Sequence, residues 1–183
     1  MKGTIMESIV QAKRVLEIFK EMSQIPRESG NEKGISDYIV NFAKNLGLEV
    51  HQDDQFNVVI KKPASPGYEN RPSIILQGHI DMVCVRDHDS NHDFSKDPIA
   101  NIIEGEWMHA DHTTLGADNG MGGAMMLAIL EDDSQQHGPM QLLFTTNEET
   151  GMDGAFAIKE GQVSGDYLLN LDTEVEHDFT VSV

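Results

Sequence analysis

Residues 73–81 read Ser-Ile-Ile-Leu-Gln-Gly-His-Ile-Asp, and this stretch indicates the fold class. Its consecutive aliphatic residues predict a strand that is buried on both faces, as the strands of parallel sheets are. Residues 140–146 (MQLLFTT) and 167–171 (YLLNL) repeat the pattern. Helices are predicted between these strands, at 119–130 and near 154–160. Buried strands that alternate with helices predict a layered α/β fold with a largely parallel sheet.

The segment before the first buried strand is predicted to form two helices and a hairpin. Apolar residues at helical spacing predict a first helix that ends before Pro26. Ser29 and Glu32 have the spacing of a capping box, so a second helix is predicted to begin there and to end at Gly47. Residues 48–60 contain two short β-like runs separated by polar residues, which predict a hairpin.

The composition is that of an acidic globular protein. Hydrophobic residues make up 39% and charged residues 24% of the chain, which is typical of globular proteins and not of disordered ones. Thirteen Lys and Arg against 31 Asp and Glu give a formal net charge of −18, which would repel nucleic acid and anionic membranes. The single Cys84 excludes an intrachain disulfide framework and favours a cytoplasmic location. Neither a signal peptide nor a membrane span is predicted.

Side chains that can bind a metal follow each strand that is predicted to be buried. His79 follows the first strand, Glu148 and Glu149 follow the second, and Asp172 follows the third. Because sites in open α/β sheets form at the carboxyl ends of the strands, these side chains are expected to converge. Adjacent carboxylates at the end of a buried strand repel each other, whereas a bound dication would favour their ionised form.

Each of these signals alone also has an ordinary structural explanation. His79 and Asp81 are two residues apart, so Asp81 is placed to accept a hydrogen bond from a metal-bound imidazole, but a surface histidine near a carboxylate gives the same pattern. Asp118 directly precedes the predicted apolar helix, where it could equally be an N-cap or part of a tight turn. Glu148 and Glu149 could belong to a solvated loop. Only their convergence indicates a site.

A second acidic run resembles a calcium loop but lacks its essential residues. The spacing of acidic residues from Asp87 to Asp93 copies the start of an EF-hand loop. The sixth position, which requires glycine, is His92, and the twelfth, which requires glutamate, is Pro98. This run is therefore predicted to be a solvated loop within a surface excursion at residues 87–111. Neither a nucleophile elbow nor a P-loop is present, which disfavours nucleophilic and phosphoryl-transfer enzymes.

Four motifs together resemble the M20 family of metallopeptidases, and within it the Xaa-His (aminoacyl-histidine) dipeptidases or carnosinases. They are residues 77–83 (QGHIDMV), 113–120 (TTLGADNG), 148–155 (EETGMDGA) and 170–174 (NLDTE). The resemblance implies a three-layer αβα catalytic domain of the dinuclear zinc aminopeptidase-like fold. Residues 1–183 would be its N-terminal portion, without the lid and dimerisation domain and without the C-terminal catalytic segment.

The chain departs from the family pattern at two positions and is expected to be incomplete at its C-terminus. His112 stands where relatives usually have glycine, and Phe56 occupies a place where a turn glycine is common. Both departures concern the local geometry of loops. Residues 180–183 (TVSV) have the alternating pattern of a strand and no terminating signal.

The resemblance also implies which residues bind two metal ions. His79 and Asp172 would each bind one ion, Asp118 would bridge the two ions, and Glu149 would bind the other. The ion bound by His79, Asp118 and Asp172 would then have all its protein ligands in this chain, whereas the second would have only Asp118 and Glu149. Zinc is the expected metal because histidine and carboxylate ligands suit it, with Mn²⁺ or Co²⁺ as alternatives.

The implied reaction is hydrolysis of the peptide bond of Xaa-His dipeptides by a water that bridges the two ions. Glu148 would be the general base, and Asp81 would orient His79. A small dipeptide is the expected substrate, and the full-length form is expected to be a homodimer. Two alternatives stay open. The chain could be a non-enzymatic metal-binding or partner-binding fragment, or the enzyme could act on another small peptide or an N-acyl amino acid.

Overall fold

The computed structural model describes residues 2–173, in which helices pack on a central five-stranded sheet. In chain order the elements are α1 (Lys2–Met22), α2 (Lys33–Asn45), β1 (Glu49–Gln52), β2 (Val58–Lys62), β3 (Ile74–His79), β4 (Asn101–Glu104), β5 (Trp107–Ala110), α3 (Ala117–Glu131), β6 (Met140–Thr145), α4 (Glu148–Gly151), α5 (Asp153–Ala157) and β7 (Tyr167–Asn170). The predicted layered α/β fold is confirmed. The strand predicted at residues 180–183 lies outside the described residues.

The central sheet is mixed, with the strand order β1-β2-β6-β3-β7. Strand β3 pairs in parallel with both β6 and β7, whereas β2 pairs antiparallel with both β1 and β6. The prediction of a largely parallel sheet is therefore wrong for half of the strand pairs. One antiparallel pair, β1–β2, is the predicted hairpin, whose short turn allows only antiparallel strands. The other pair joins this hairpin to β6.

Position in the sheet decides whether the three apolar strands are buried. Strands β3 and β6 are central, and their aliphatic residues are largely buried, as predicted. Strand β7 is also present, but the prediction that it is buried on both faces is wrong. Tyr167, Leu168 and Leu169 are 62%, 54% and 46% exposed, and among residues 2–173 only β3 pairs with β7.

The main hydrophobic core lies between one face of the sheet and the three longest helices. Its fully or nearly fully buried members are Ile18, Phe19, Met22, Ile35, Ile39, Ala43, Val58, Ile60, Leu76, Ile80, Ala124, Met126, Leu127, Leu130, Leu142 and Phe144. On the opposite face, a smaller cluster of Val59, Ile75 and Leu143 packs against Ile158 and Val163, at the end of α5 and in the loop that follows it. The sheet is thus covered on both faces, and its strand ends are left to form a site.

Helix α2 ends as predicted but does not begin as predicted. Gly47 has a φ of 72°, in the left-handed region that favours glycine, and its N–H donates to the Lys44 carbonyl at 3.0 Å. The predicted capping box is wrong, because no side chain in the described part of the chain caps the N-terminus of α2. The side chains of Ser29 and Glu32 instead bind residues of other segments.

The predicted surface excursion contains an element that the sequence did not reveal. Strands β4 and β5 form an antiparallel hairpin within residues 87–111. Ile103 and Trp107 are 55% and 79% exposed, so this hairpin does lie at the surface. In the acidic run, the Asp93 carboxylate accepts hydrogen bonds from the Ser95 amide and hydroxyl, as in an ordinary polar turn.

Two positions where the family pattern has glycine are strained in this chain. Phe56 has a φ of 64° and His112 a φ of 57°, and both values lie in the left-handed region. Side chains are disfavoured there, which explains why glycine is common at such turns. At both positions this chain therefore has a non-glycine residue in a backbone conformation that favours glycine.

Within residues 2–173, no helix combines the length and the apolarity that crossing a membrane requires.

A buried lysine closes the C-terminus of α3. Lys62, at the end of β2, donates from Nζ to the carbonyl oxygens of Ile129, Leu130 and Asp132 at 3.0, 2.9 and 3.0 Å. These carbonyls have no partner within the helix, and a cation is favoured at the negative end of the helix dipole. The contact ties the sheet to the helix that carries Asp118.

Replacing Lys62 tests this contact. We expect Lys62→Met to lower the free energy of unfolding by about 1.5–3 kcal/mol, because buried carbonyls lose a charged donor. The measurement is urea unfolding followed by far-UV circular dichroism. The control is Lys61→Met, because Lys61 is exposed and pairs with Glu49 at the surface, where a pair contributes less than about 1 kcal/mol. Equal losses in the two variants would contradict this account of Lys62.

Candidate metal centre

The candidate site lies at the carboxyl ends of the three parallel strands. His79 is the last residue of β3, and its register partner on β6 is Thr145. Chain segments leaving β6 and β7 then lead to Glu148 and to Asp172. Because parallel strands end at the same edge of the sheet, these side chains are brought together. The expected convergence of the strand ends is observed.

Asp118 joins these side chains from the beginning of α3. Its backbone is extended, with φ −82° and ψ 117°, although it lies within the helix bounds. Its Oδ1 lies 3.0 Å from His79 Nε2, and Oδ1 of Asp172 lies 3.7 Å from the same nitrogen. His79, Asp118 and Asp172 can therefore offer one ligand atom each to a single ion.

A second group on the same histidine contains the two glutamates. His79, Glu148 and Glu149 also present ligand atoms that all lie within 4.8 Å of one another. Glu148 Oε2 lies 4.0 Å from His79 Nε2. The geometry thus groups Glu149 with Glu148, and this group shares only His79 with the group that contains Asp118. The candidate ligands and the candidate base share one site.

Asp81 is completely buried and is held by four hydrogen bonds. Its Oδ1 receives the amide of Glu148 at 3.1 Å and lies 3.2 Å from His79 Nδ1. Its Oδ2 receives the Ser29 hydroxyl at 2.7 Å and the amide of Glu149 at 3.2 Å. Burial alone would raise the pKa of Asp81, but these donors outweigh it and hold the pKa below its ordinary value. The carboxylate therefore stays charged in the interior.

The contact with Asp81 fixes the orientation of the His79 imidazole. Nδ1 faces Asp81, which leaves Nε2 directed at Asp118, Asp172 and Glu148. This is the arrangement in which a carboxylate orients a metal-binding histidine. Burial lowers the pKa of His79, but the hydrogen bond and charge of Asp81, with the nearby acidic groups, raise it overall to about 9. Without a metal, the imidazole is therefore protonated at neutral pH.

The remaining carboxylates are crowded. Burial raises the pKa of Glu149; the charge of His79 opposes this, and the charges of Asp118 and Glu148 add to it. Burial also raises the pKa of Asp172, although a hydrogen bond from Asn119 opposes it. Carboxylates that are destabilised by one another become ionised most readily when a dication lies between them. The donor set of one histidine and several carboxylates suits zinc.

Three further residues contribute to the site, and the sequence analysis assigned none of them a role there. Asn119 Nδ2 donates to Asp172 Oδ1 at 2.6 Å and so fixes that carboxylate. Arg27 donates to backbone carbonyls beside His79 and before Asp118, and Glu32 accepts the amide of Asn147. Glu32 did have a pattern, but that pattern indicated a helix cap. The spacing of ligands after buried strands gives no information about such supporting contacts.

Comparison with known proteins gives the family. Residues 75–181 match peptidase family M20/M25/M40, which is more than half of the chain. The chain belongs to this family. The predicted resemblance is therefore confirmed.

The relatives include dipeptidases that are much longer than this chain. It is 47% identical over 160 residues to the cytosol non-specific dipeptidase of Escherichia coli (strain K12). The aligned region covers 87% of this chain and 33% of that protein. The crystal structure of aminoacylhistidine dipeptidase from Vibrio alginolyticus superposes with a TM-score of 0.86 at 47% identity, over 89% of this chain and 33% of that one. A tripeptidase from Staphylococcus aureus gives a TM-score of 0.75 at 26% identity, over 89% of this chain and 44% of that one. The chain thus spans about a third of the length of the two dipeptidases.

The titration of His79 tests the electrostatics of the site. In the metal-free chain we expect a His79 pKa of about 9, and Asp81→Asn should lower it by about 1–3 pH units because the facing charge is lost. Because the pKa of His79 is raised in the folded state, its protonation stabilises the fold. This stabilisation is complete at pH values below the pKa of the unfolded state, about 6.5, and is lost as the pH rises towards 9. The measurement is the NMR shift of the imidazole C2 proton, assigned with His79→Gln. An unchanged pKa in Asp81→Asn would contradict the account.

Proposed function

We propose that this chain is the N-terminal portion of the catalytic domain of a dinuclear metallodipeptidase that hydrolyses Xaa-His dipeptides. The observation that carries the proposal is the buried His79, whose Nε2 faces the carboxylates of Glu148 and Asp172, which follow parallel strands, and that of Asp118 at the beginning of α3. Membership of the peptidase family and the likeness to an aminoacylhistidine dipeptidase support the reaction and the substrate class. The greater length of the relatives supports the assignment as a portion.

Two metal ions, with zinc as the first choice, would be held by the carboxylates around His79. In this proposal His79, Asp118 and Asp172 bind one ion, and Asp118 and Glu149 bind the other. When bound, zinc supplies a nucleophile at neutral pH by lowering the pKa of water, and it polarises the carbonyl group of the substrate. The second group, of His79, Glu148 and Glu149, supports the placement of Glu149 beside the first ion.

Glu148 is proposed as the general base. Its amide is held by the buried carboxylate of Asp81, whereas its side chain is 29% exposed and faces the site. The backbone is therefore fixed while the carboxylate can reach water. Glu148 would take a proton from the attacking water and pass it to the leaving amine. Asp81 would act through His79 by keeping the imidazole in one orientation.

The proposal includes a small peptide as the partner and the cytoplasm as the location. The names of a cytosol non-specific dipeptidase and an aminoacylhistidine dipeptidase among the relatives support both. The tripeptidase among the similar structures makes a longer peptide the natural competitor as substrate. The homodimer implied by the family resemblance stays a prediction.

Metal binding without turnover is the second candidate for the 183-residue chain by itself. It is favoured by the length of the relatives, of which the chain spans about a third. In the proposed ligand set, the second ion has only Glu149 and the shared Asp118 from this chain. The two candidates differ in whether the chain alone releases product.

Turnover of carnosine separates these candidates. We expect a zinc-loaded polypeptide of the relatives' length that contains this sequence to release histidine from carnosine faster than the terminal residue from a tripeptide. Glu148→Gln should lower that rate about 10²–10⁴-fold with an unchanged zinc content, because it removes the proton acceptor but no ligand of the proposed set. Chromatography of the products and metal analysis are the measurements, and the exposed Glu160→Gln is the matched control.

Each outcome of this comparison has one meaning. Zinc binding by the 183-residue chain without release of histidine supports the second candidate for the chain alone. Loss of zinc from Glu148→Gln would contradict the role of Glu148 as a base and make it a ligand. A zinc-loaded long form that cleaves no dipeptide would contradict the proposed activity.

A further inference from the structure

We propose that Arg27 and Glu32 are positioning residues that hold the ligand-bearing segments of the metal centre in register. Both lie in the loop between α1 and α2, residues 23–32, which supplies none of the proposed ligands. The inference rests on the proposed metal centre and extends it to a part of the chain far from it in sequence. It follows from contacts that this loop makes with the segments carrying all the ligands except Asp172.

Arg27 connects two of these segments through their backbone. Its Nη1 donates to the carbonyl oxygens of Ile80 and Asp81, both at 3.2 Å, directly after the histidine of the site. Its Nη2 donates to the carbonyl of Gly116 at 2.5 Å, two residues before Asp118. One planar guanidinium therefore fixes the distance between the end of β3 and the beginning of α3.

Arg27 is buried, and a charged side chain that only filled space there would cost more free energy than an apolar one. Its residue is 2% exposed, and burial lowers its pKa to about 10, so the guanidinium stays charged at neutral pH. A buried cation costs free energy unless it is compensated, and apolar residues of similar volume often pack at lower cost. Here three carbonyl oxygens and the nearby charges of Asp81 and Asp118 offset part of this cost, while Nε has no hydrogen-bond partner among the described residues. The cation is thus placed where the site concentrates negative charge.

Glu32 holds the third ligand-bearing segment. It is 3% exposed, and its Oε1 accepts the amide of Asn147 at 3.0 Å. The next two amides, of Glu148 and Glu149, are accepted by the buried Asp81. Two buried carboxylates therefore receive three successive N–H groups at the beginning of α4. The directions in which the two glutamate side chains leave the backbone depend on these bonds.

Ser29 links the two halves of this arrangement. Its hydroxyl donates to Asp81 Oδ2 at 2.7 Å, so the same loop that binds Asn147 also holds the carboxylate that orients His79. Ligands must be held within about 0.5 Å of their working positions for tight binding. The ligand carboxylates repel one another, so without these bonds the segments would relax apart. We therefore expect the loop to control metal affinity.

Zinc affinity of the chain tests the proposal with matched pairs of variants. Arg27→Met and Arg27→Lys should each weaken Zn²⁺ binding about 10–100-fold, the usual effect of removing a residue that supports a metal ligand. Lysine retains the charge but offers a single point donor that cannot replace the planar fork. Glu32→Ala should weaken binding similarly, whereas Glu32→Gln should restore most of it, because its amide oxygen still accepts the Asn147 N–H. Arg71→Met, at an exposed arginine beside Tyr68, should leave binding unchanged.

The measurements are isothermal calorimetry with Zn²⁺ and the visible absorption of bound Co²⁺, which reports the ligand geometry. Far-UV circular dichroism and urea unfolding without metal show whether each variant folds. If the Arg27 variants do not fold, the comparison of Glu32→Ala with Glu32→Gln tests the positioning role. These two variants differ only in side-chain volume and in whether the side chain can accept the Asn147 N–H. Wild-type affinity and an unchanged Co²⁺ spectrum in folded Arg27→Lys and Glu32→Ala would overturn the positioning role. A wild-type chain that binds neither ion would contradict the metal centre itself.

Discussion

The carboxylate of Asp81 has no exposed surface, so only protein groups can balance its charge. The donors that do so are an imidazole, a hydroxyl group and two amides, and they come from the end of β3, from the α1–α2 loop and from the beginning of α4. A buried charge that loses a donor is costly, because the low polarity of the interior strengthens every such interaction. Satisfying this one anion therefore fixes three segments relative to one another.

The positions of the helices and strands could be predicted from the sequence more readily than which strands lie beside one another. The apolar runs that became β3 and β6 and the glycine that ends α2 are local signals, and they were sufficient. The run at Tyr167–Asn170 is similarly apolar, but its exposure depends on how many strands lie beside it, which is long-range information. The β4–β5 hairpin was missed because its strands are only four residues long and none of their residues is fully buried, so the sequence shows no run of buried residues.

Most of the candidate site residues could be located because they lie at or shortly after the ends of strands, and Asp118 because it lies at the beginning of an apolar helix. The supporting residues could not, since a tertiary contact leaves no spacing in the sequence. Ser29 and Glu32 illustrate this: three residues apart, they match a capping box, yet their side chains reach Asp81 and Asn147. The same spacing of Ser29 and Glu32 is compatible with capping a helix and with binding residues of other segments. The two cases differ only in where the hydrogen-bond partners of these side chains lie, and the sequence does not show this.

The place of β3 between β6 and β7 also determines the order in which the site can form. Both neighbours come much later in the chain, so the parallel pairings require the closure of long loops, which is slow. During synthesis, His79 emerges well before Glu148 and Asp172. The complete set of ligands therefore exists only after the sheet has formed. A metal ion that needs the whole set binds the native state alone and shifts the folding equilibrium by mass action, without capturing an early intermediate.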